Sequence, residues 1–242
     1  APMSDAAPRV DPRRRGLLAL ALAAGAAPGF VACAHLRTWE SDPFALGVAS
    51  GCPRPDGVVL WTRIAPAAAP GARETVRWEL AADEHFRDVV RSGAESVDTD
   101  VAHSVHVEVR GLEPSRWYWY RFTAGGERSA VGRTRTAPAP GRDEALAFAI
   151  ASCQRYDDGY YAAWRHLAAE SPDLVVFLGD YIYESAPRKG RVRTHTGTGA
   201  ARTLDEYRAR YAQYKSDADL RRIHAIAPWI LTWDDHEVQN DY

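Results

Sequence analysis

Beyond residue 142 the hydrophobic pattern of this chain changes period, from two to about 3.6 and back, and that change restricts the fold more than any other feature. Leu146 to Ala151 is a short apolar run; Tyr160, Trp164, Leu167 and Ala168 then share one helical face between about Gly159 and Ala169, and Leu174 to Leu178 is apolar again. Strand, helix, strand in that order is a βαβ unit, which demands a parallel sheet with a helix on its face. Pro172 disfavours helix at Ser171 and so closes the first helix. A second helix is predicted from Thr203, where Thr203 and Glu206 form a capping-box pair and Leu204, Tyr207, Tyr211 and Tyr214 follow at helical spacing. Pro228 to Trp233 reads as a third buried strand.

Upstream the pattern is different. From Phe44 to about Thr136 the chain reads as short strands between turn residues, clearest at Val58 to Ile64, Thr75 to Ala81, Ser104 to Arg110 and Trp117 to Thr123. Val105, Val107 and Val109 alternate with His106 and Glu108, as a half-buried strand requires. Leu112, Pro114 and Tyr118 have the spacing of a tyrosine corner, whose hydroxyl bonds back to the preceding loop in immunoglobulin-like and fibronectin-like sandwiches. The stretch 136–142, with Pro138, Pro140 and Gly141 and no large apolar residue, is the expected linker. The predicted architecture is therefore β + α/β: an N-terminal immunoglobulin/fibronectin-like β-sandwich over 35–137, then an α/β domain over 143–242 that stops soon after its third strand.

The first residues obey another logic. Arg13, Arg14 and Arg15 precede an uncharged run from Gly16 to Ala34, and Ala32 and Ala34 frame a cut before His35. This is the layout of an export signal, and the consecutive arginines favour the twin-arginine translocase as its partner. Residues 1–34 are read as that signal, placing the mature protein in the periplasm or outside the cell. A membrane anchor is the competing reading, but the run is short and holds Pro28, so no stable transmembrane span is expected. Cys33 leaves a lipoprotein variant open, which Phe30 and Val31 fit poorly. With 30 Lys+Arg against 32 Asp+Glu there is no basic field, so no nucleic-acid-binding module is expected. Cys52 and Cys153 remain after cleavage, and in an oxidising compartment a disulfide between them is the bland alternative to any chemistry.

Three motifs end the three α/β strands, the edge at which open parallel sheets place their sites. They are Ser152-Cys153-Gln154, Gly179-Asp180-Tyr181-Ile182-Tyr183-Glu184, and Asp234-Asp235-His236-Glu237. Thiolate, carboxylate and phenolate are all anionic donors, a set better matched to trivalent iron than to zinc or magnesium alone. Each residue also has an ordinary use: Asp180 as a cap or turn former, Tyr183 as core, His236 as a surface histidine. His85, His103, His106, His166, His195 and His224 lack ligand-like spacing and are read as structural. The basic stretch Arg188, Lys189, Arg191, Arg193 and Arg202 is either a wall that attracts anionic substrate or, as favoured here, a solvated loop.

These motifs, with Phe44-Ala45-Leu46-Gly47-Val48-Ala49-Ser50-Gly51, Trp61-Thr62-Arg63 and the extension to Val238, resemble the PhoD family of the calcineurin-like metallophosphoesterases from about Phe44 to the last residue. The resemblance implies metal-dependent hydrolysis of extracellular phosphate esters. Cys153, Asp180 and Tyr183 would hold Fe3+, Asp180 would bridge to Ca2+, Asp235 would take the place of the superfamily's metal-binding Asn, and Asn240 would be a further calcium ligand. His236 would be the acid that protonates the leaving oxygen, or would stabilise charge in the transition state. The resemblance also implies further histidines and an acid from a second half of the fold, so the chain is expected to be an N-terminal fragment, inactive by itself. The competing reading is an exported sandwich that binds a protein or surface, carrying a non-catalytic α/β remnant.

Overall fold

The computed structural model describes residues 39, 41–64 and 73–242; the expected export signal, residues 1–34, lies outside the described residues. The chain is β-rich, with a mixed sheet and few helices. Its upstream strands are β1 Val48–Arg54, β2 Gly57–Arg63, β3 Glu74–Ala81, β4 Val89–Val97, β5 Ser104–Arg110, β6 Trp117–Ala124, β7 Glu127–Arg128 and β8 Gly132–Arg135. After them come β9 Phe148–Ala151, α1 Ala162–Glu170, β10 Leu174–Leu178, α2 Leu204–Lys215, α3 Ala218–Ile226 and β11 Pro228–Thr232. Among the described residues no helix is long and apolar enough to cross a membrane.

One finding departs from the expected layout. A single six-stranded sheet runs β5-β2-β1-β11-β10-β9, so upstream strands and α/β strands are hydrogen-bonded to each other across the Pro/Gly stretch. The junction is parallel and short, Ser50 against Pro228 and Gly51 against Trp229. Gly51 permits it, because a Cβ there would lie 2.8 Å from the Trp229 carbonyl oxygen. Nothing in a local pattern of small residues announces a pairing to a strand some 180 positions away.

The second sheet runs β4-β3-β6-β7, with β8 also on β6. Val48, Leu60, Val105 and Val107 from the first sheet and Val76, Leu80, Tyr120 and Phe122 from the second form one buried core. This follows from the alternation seen in the sequence, since every second side chain of β5 and β6 points inward. The Tyr118 hydroxyl accepts from the Glu113 amide at 3.0 Å, the back-bond expected of that Tyr. β4 escaped the sequence reading because it is an edge strand with mostly exposed side chains and Gly93 at its middle.

The other half has its own core, in which Trp229, Phe177 and Trp164 stack on one another and are closed by Tyr214, Leu220 and Ile223. Helix α1 starts later than predicted, since Tyr156–Asp158 forms a 3-10 turn and Gly159 is extended. Helix α2 begins where predicted, with both bonds of the Thr203/Glu206 capping box made. Helix α3 was not foreseen, although Asp217, which caps it by accepting from Asp219 and Leu220 amides, and the Leu220/Ile223 spacing signal it. These helices cover one face of the parallel strands. The opposite face leaves Phe148, Ile150, Leu178 and Ile230 exposed.

Candidate metal centre

β9, β10 and β11 pair with Ala151 opposite Phe177 and Leu178 opposite Thr232, so the chain leaves all three strands at one edge. There the first motif is tied to the second by Cys153 N–H to Gly179 O at 3.1 Å and Gln154 N–H to Asp180 O at 3.2 Å. Cys153 and Asp180 both adopt left-handed backbone, φ 58° and 57°, a conformation that costs a non-glycine residue free energy and concentrates at functional turns. Gly179 is required twice over. Its φ is +94°, and a Cβ would fall 2.4 Å from that of Asp234, so the second and third motifs could not approach.

Glu237 joins those two motifs. Its buried carboxylate accepts from the amides of Asp180 (2.9 Å), Tyr181 (2.6 Å), Ile182 (3.2 Å) and Asp234 (2.8 Å). The sequence reading quoted Glu237 in a motif but assigned it no task; the Asp234-x-x-Glu237 spacing of a capping box was the available signal.

Around this frame the ligating groups converge. The Tyr183 hydroxyl donates to Asp180 Oδ2 at 2.8 Å. Burial pushes the Tyr183 phenol up, and the Asp180 carboxylate and Cys153 beside it push it further, so without a cation the group is a phenol. The Tyr183 ring lies 4.1 Å, centroid to centroid, from the ring of His236. His236 Nδ1 is 2.8 Å from Glu184 Oε2, and the other Glu184 oxygen accepts from the Asn240 amide at 3.1 Å. Burial alone would raise the Glu184 carboxyl, but these two bonds hold it below the usual range. Asp235 is also lowered, chiefly by the Asp241 amide, which donates to its Oδ2 at 2.5 Å.

Asp180, Asp235 and His236 offer ligand atoms that all lie within 4.8 Å of one another. Asp180 is 7% exposed, and its Oδ1 has no hydrogen-bond partner among the described residues. A buried carboxylate oxygen without a donor is costly, and a cation at this point would relieve the cost. The donor set therefore fits a metal ion. Cys153 borders Tyr183 but is not part of the group of three, and the side-chain amide of Asn240 is turned to Asp241, at 2.5 Å. Cys52 and Cys153 are both free thiols.

The basic stretch is not simply solvated. Arg188 pairs with Asp157 and Asp158, Arg191 with Asp158, and Arg193 with Asp217, so these charges fasten the loop after the second motif onto the body of the protein. Glu184, beside His236, is the other functional neighbour that the sequence reading left without a role.

Comparison with known proteins agrees with this geometry. The family model for the N-terminal domain of PhoD-like phosphatases matches residues 31–138, and that for the PhoD-like phosphatase itself matches residues 148–242. Alkaline phosphatase D of Bacillus subtilis (strain 168) is 53% identical over 215 residues, which cover 84% of this chain and 37% of that protein. A solved structure described as "Structure of PhoD" superposes with a TM-score of 0.81 at 52% identity, covering 85% of this chain and 41% of that one. The chain thus spans well under half the length of these relatives. Two family models placed end to end, over a sheet edge bearing an acidic and imidazole cluster, show that the chain belongs to the PhoD-like phosphatase family.

Proposed function

We propose that the chain supplies part of the metal centre of an exported phosphoester hydrolase. The observation that carries the reading is the partnerless Asp180 Oδ1 at the point where Asp235 and His236 converge. Asp180 and Asp235 would hold the metal directly, Tyr183 on losing its proton and Cys153 would complete an iron site, and Asn240 would reach a calcium ion after its side chain turns from Asp241. Fe3+ with Ca2+ is the proposed pair, on the family resemblance and the anionic donors. Bound metal would polarise the phosphoryl group and lower the pKa of the attacking water.

The chain's own residues do the rest. Glu184, facing Nδ1 of His236, makes that nitrogen the donor and leaves Nε2 for the substrate. A carboxylate there also stabilises the imidazolium, the form able to protonate a leaving oxygen. Glu237 accepts from the amides of Asp180, Tyr181 and Ile182 and so fixes the backbone that carries the Asp180 carboxylate.

Also proposed are an N-terminal immunoglobulin/fibronectin-like sandwich (35–137), the leading half of a metallophosphoesterase domain (143–242), and an export signal (1–34) read by the twin-arginine translocase. The substrate class is a small phosphate ester.

The test has two parts. Titration of the chain with Fe3+ and Ca2+ should show binding that Asp180→Asn and Asp235→Asn weaken at least tenfold. In the full-length protein, loaded with metal, His236→Gln should retain the metal and lose hydrolysis of a chromogenic phosphate ester. Metal binding unaffected by both Asp changes would overturn the site; loss of metal with His236→Gln would make His236 a ligand rather than the acid.

A further inference from the structure

A well-formed cavity borders Tyr181 and Glu237 but is lined by none of the residues assigned to the metal. It holds about 480 Å3 on the face of the six-stranded sheet that carries Val59, Trp61, Trp229 and Leu231, beneath the α2 residues Tyr211 and Lys215. Helices cover this face over the parallel strands, whereas over β1, β2 and β5 it borders the cavity. Its volume is that of a small-molecule site, and its walls are aromatic and aliphatic.

The polar groups in it are nearly all of one kind. Lys215 is 7% exposed, lines the cavity, packs its ammonium 4.6 Å from the centre of the Trp61 ring, and has no hydrogen bond or carboxylate partner among the described residues. Burial, with Arg221 close by, lowers its amine to about 7. His224, another lining residue, is kept neutral by burial and by Lys215. The Tyr181 hydroxyl lies 2.8 Å from its Nε2; in the tautomer in which that hydroxyl donates, the ring proton sits on Nδ1, which has no partner among the described residues. Trp229 Nε1 is a second donor without a partner among the described residues.

Among the described residues no free carboxylate balances them. Glu237 is the acid on the wall, and its oxygens are taken by four backbone amides. Arg63 and Arg208 add positive charge, Arg63 bonding to the carbonyls of Ala102 and Arg208. His106, on β5, is held neutral-leaning by burial. Toward the mouth the wall is apolar and open, with Trp233 73% exposed and Val101 and Leu231 about half exposed. A buried amine with no carboxylate partner among the described residues, in a cavity also lined by His224 and Trp229, is complementary to one anionic head on an apolar tail.

We propose that this cavity binds a small apolar carboxylate, its head on Lys215 and its chain along Trp61 toward Leu231 and Trp233. The site uses no residue assigned to the metal, and a carboxylate is not a phosphoester, so its test is independent of the hydrolytic reading.

The probe is decanoate, with decanol as the uncharged control and acetate as the head without a tail, measured by titration calorimetry on the whole chain. Decanoate should bind saturably, one per chain, at least tenfold tighter than decanol, and acetate should not bind measurably. Lys215→Met, which keeps the stem and removes the amine, should weaken decanoate at least tenfold and leave decanol unchanged. At pH 8 the free amine is mostly neutral, and pairing with a carboxylate favours its charged form, so binding should take up close to one proton, read from titrations in buffers of different ionisation enthalpy. Decanoate no tighter than decanol, or an unaltered affinity in Lys215→Met, would overturn the proposal. If that variant does not fold, decanoate binding no tighter than decanol by the unmodified chain still overturns the proposal.

Discussion

Single residues at the sheet edge trade stability for chemistry. Asp180 is the sharpest case, since one of its buried oxygens finds no donor among the described residues. Asp180→Asn removes that charge while still offering an oxygen to Tyr183. It is expected to leave the metal-free chain as stable or more so in urea unfolding, while metal affinity falls. Glu237 behaves oppositely. Glu237→Ala strips four amides of their acceptor at once and should cost at least about 3 kcal/mol, because each buried donor left unsatisfied costs about 1–3 kcal/mol. An unfolding midpoint within error of the parent would contradict the role given to Glu237. The two variants separate a residue that binds from one that positions.

At the scale of elements, the helices depend on their caps more than on their own propensity. The α2 sequence is polar on most faces, and Thr203 with Glu206 supplies the bonds that its first turn lacks. Thr203→Ala should cost about 1 kcal/mol, the usual worth of an N-cap, checked by chemical denaturation. Asp217 should matter more. It caps α3 through two amides and also takes the Arg193 guanidinium at 2.6 Å, tying the loop after the second motif to the helix layer.

For the whole molecule, acid should act in two stages. Burial, aided by Arg210, lowers the His195 imidazole to about 4, below its unfolded value of about 6.5. The unfolded chain therefore binds the extra proton between those values, and stability falls as pH drops from about 6.5 to 4. Burial alone would raise Asp157, but Arg188, His195 and Arg155 outweigh it and hold the carboxyl down to about 2. Its contribution is present above about pH 4 and is lost as pH falls toward 2. The melting temperature should fall through both windows, and His195→Gln should flatten the upper one and narrow the lower, because His195 helps hold Asp157 down. The exposed Phe148, Ile150, Leu178 and Ile230 also form an apolar face on the sheet, so the chain should bind a hydrophobic dye while folded. Phe148→Ser with Ile150→Thr should reduce that signal without moving the unfolding midpoint by much.

Local order was legible in the sequence because it is a local matter: β5 and β6 through alternation, β10 through an unbroken apolar run, α2 through its capping box, and three motifs through their place at strand ends. Position at strand ends also predicted that the motifs carrying Cys153, Asp180, Tyr183, Asp235 and His236 meet at one sheet edge, because the βαβ pattern dictates the direction of each strand. Tertiary structure alone decided what depends on contacts between distant segments. It joined β1 to β11 through Gly51, gave Glu237 its four amides and, among the described residues, left Asp180 Oδ1 without a donor and Lys215 in an apolar cavity without a carboxylate partner. Periodicity records which face of an element is buried but carries no record of its partner, and the charge state and use of a buried group depend on that partner.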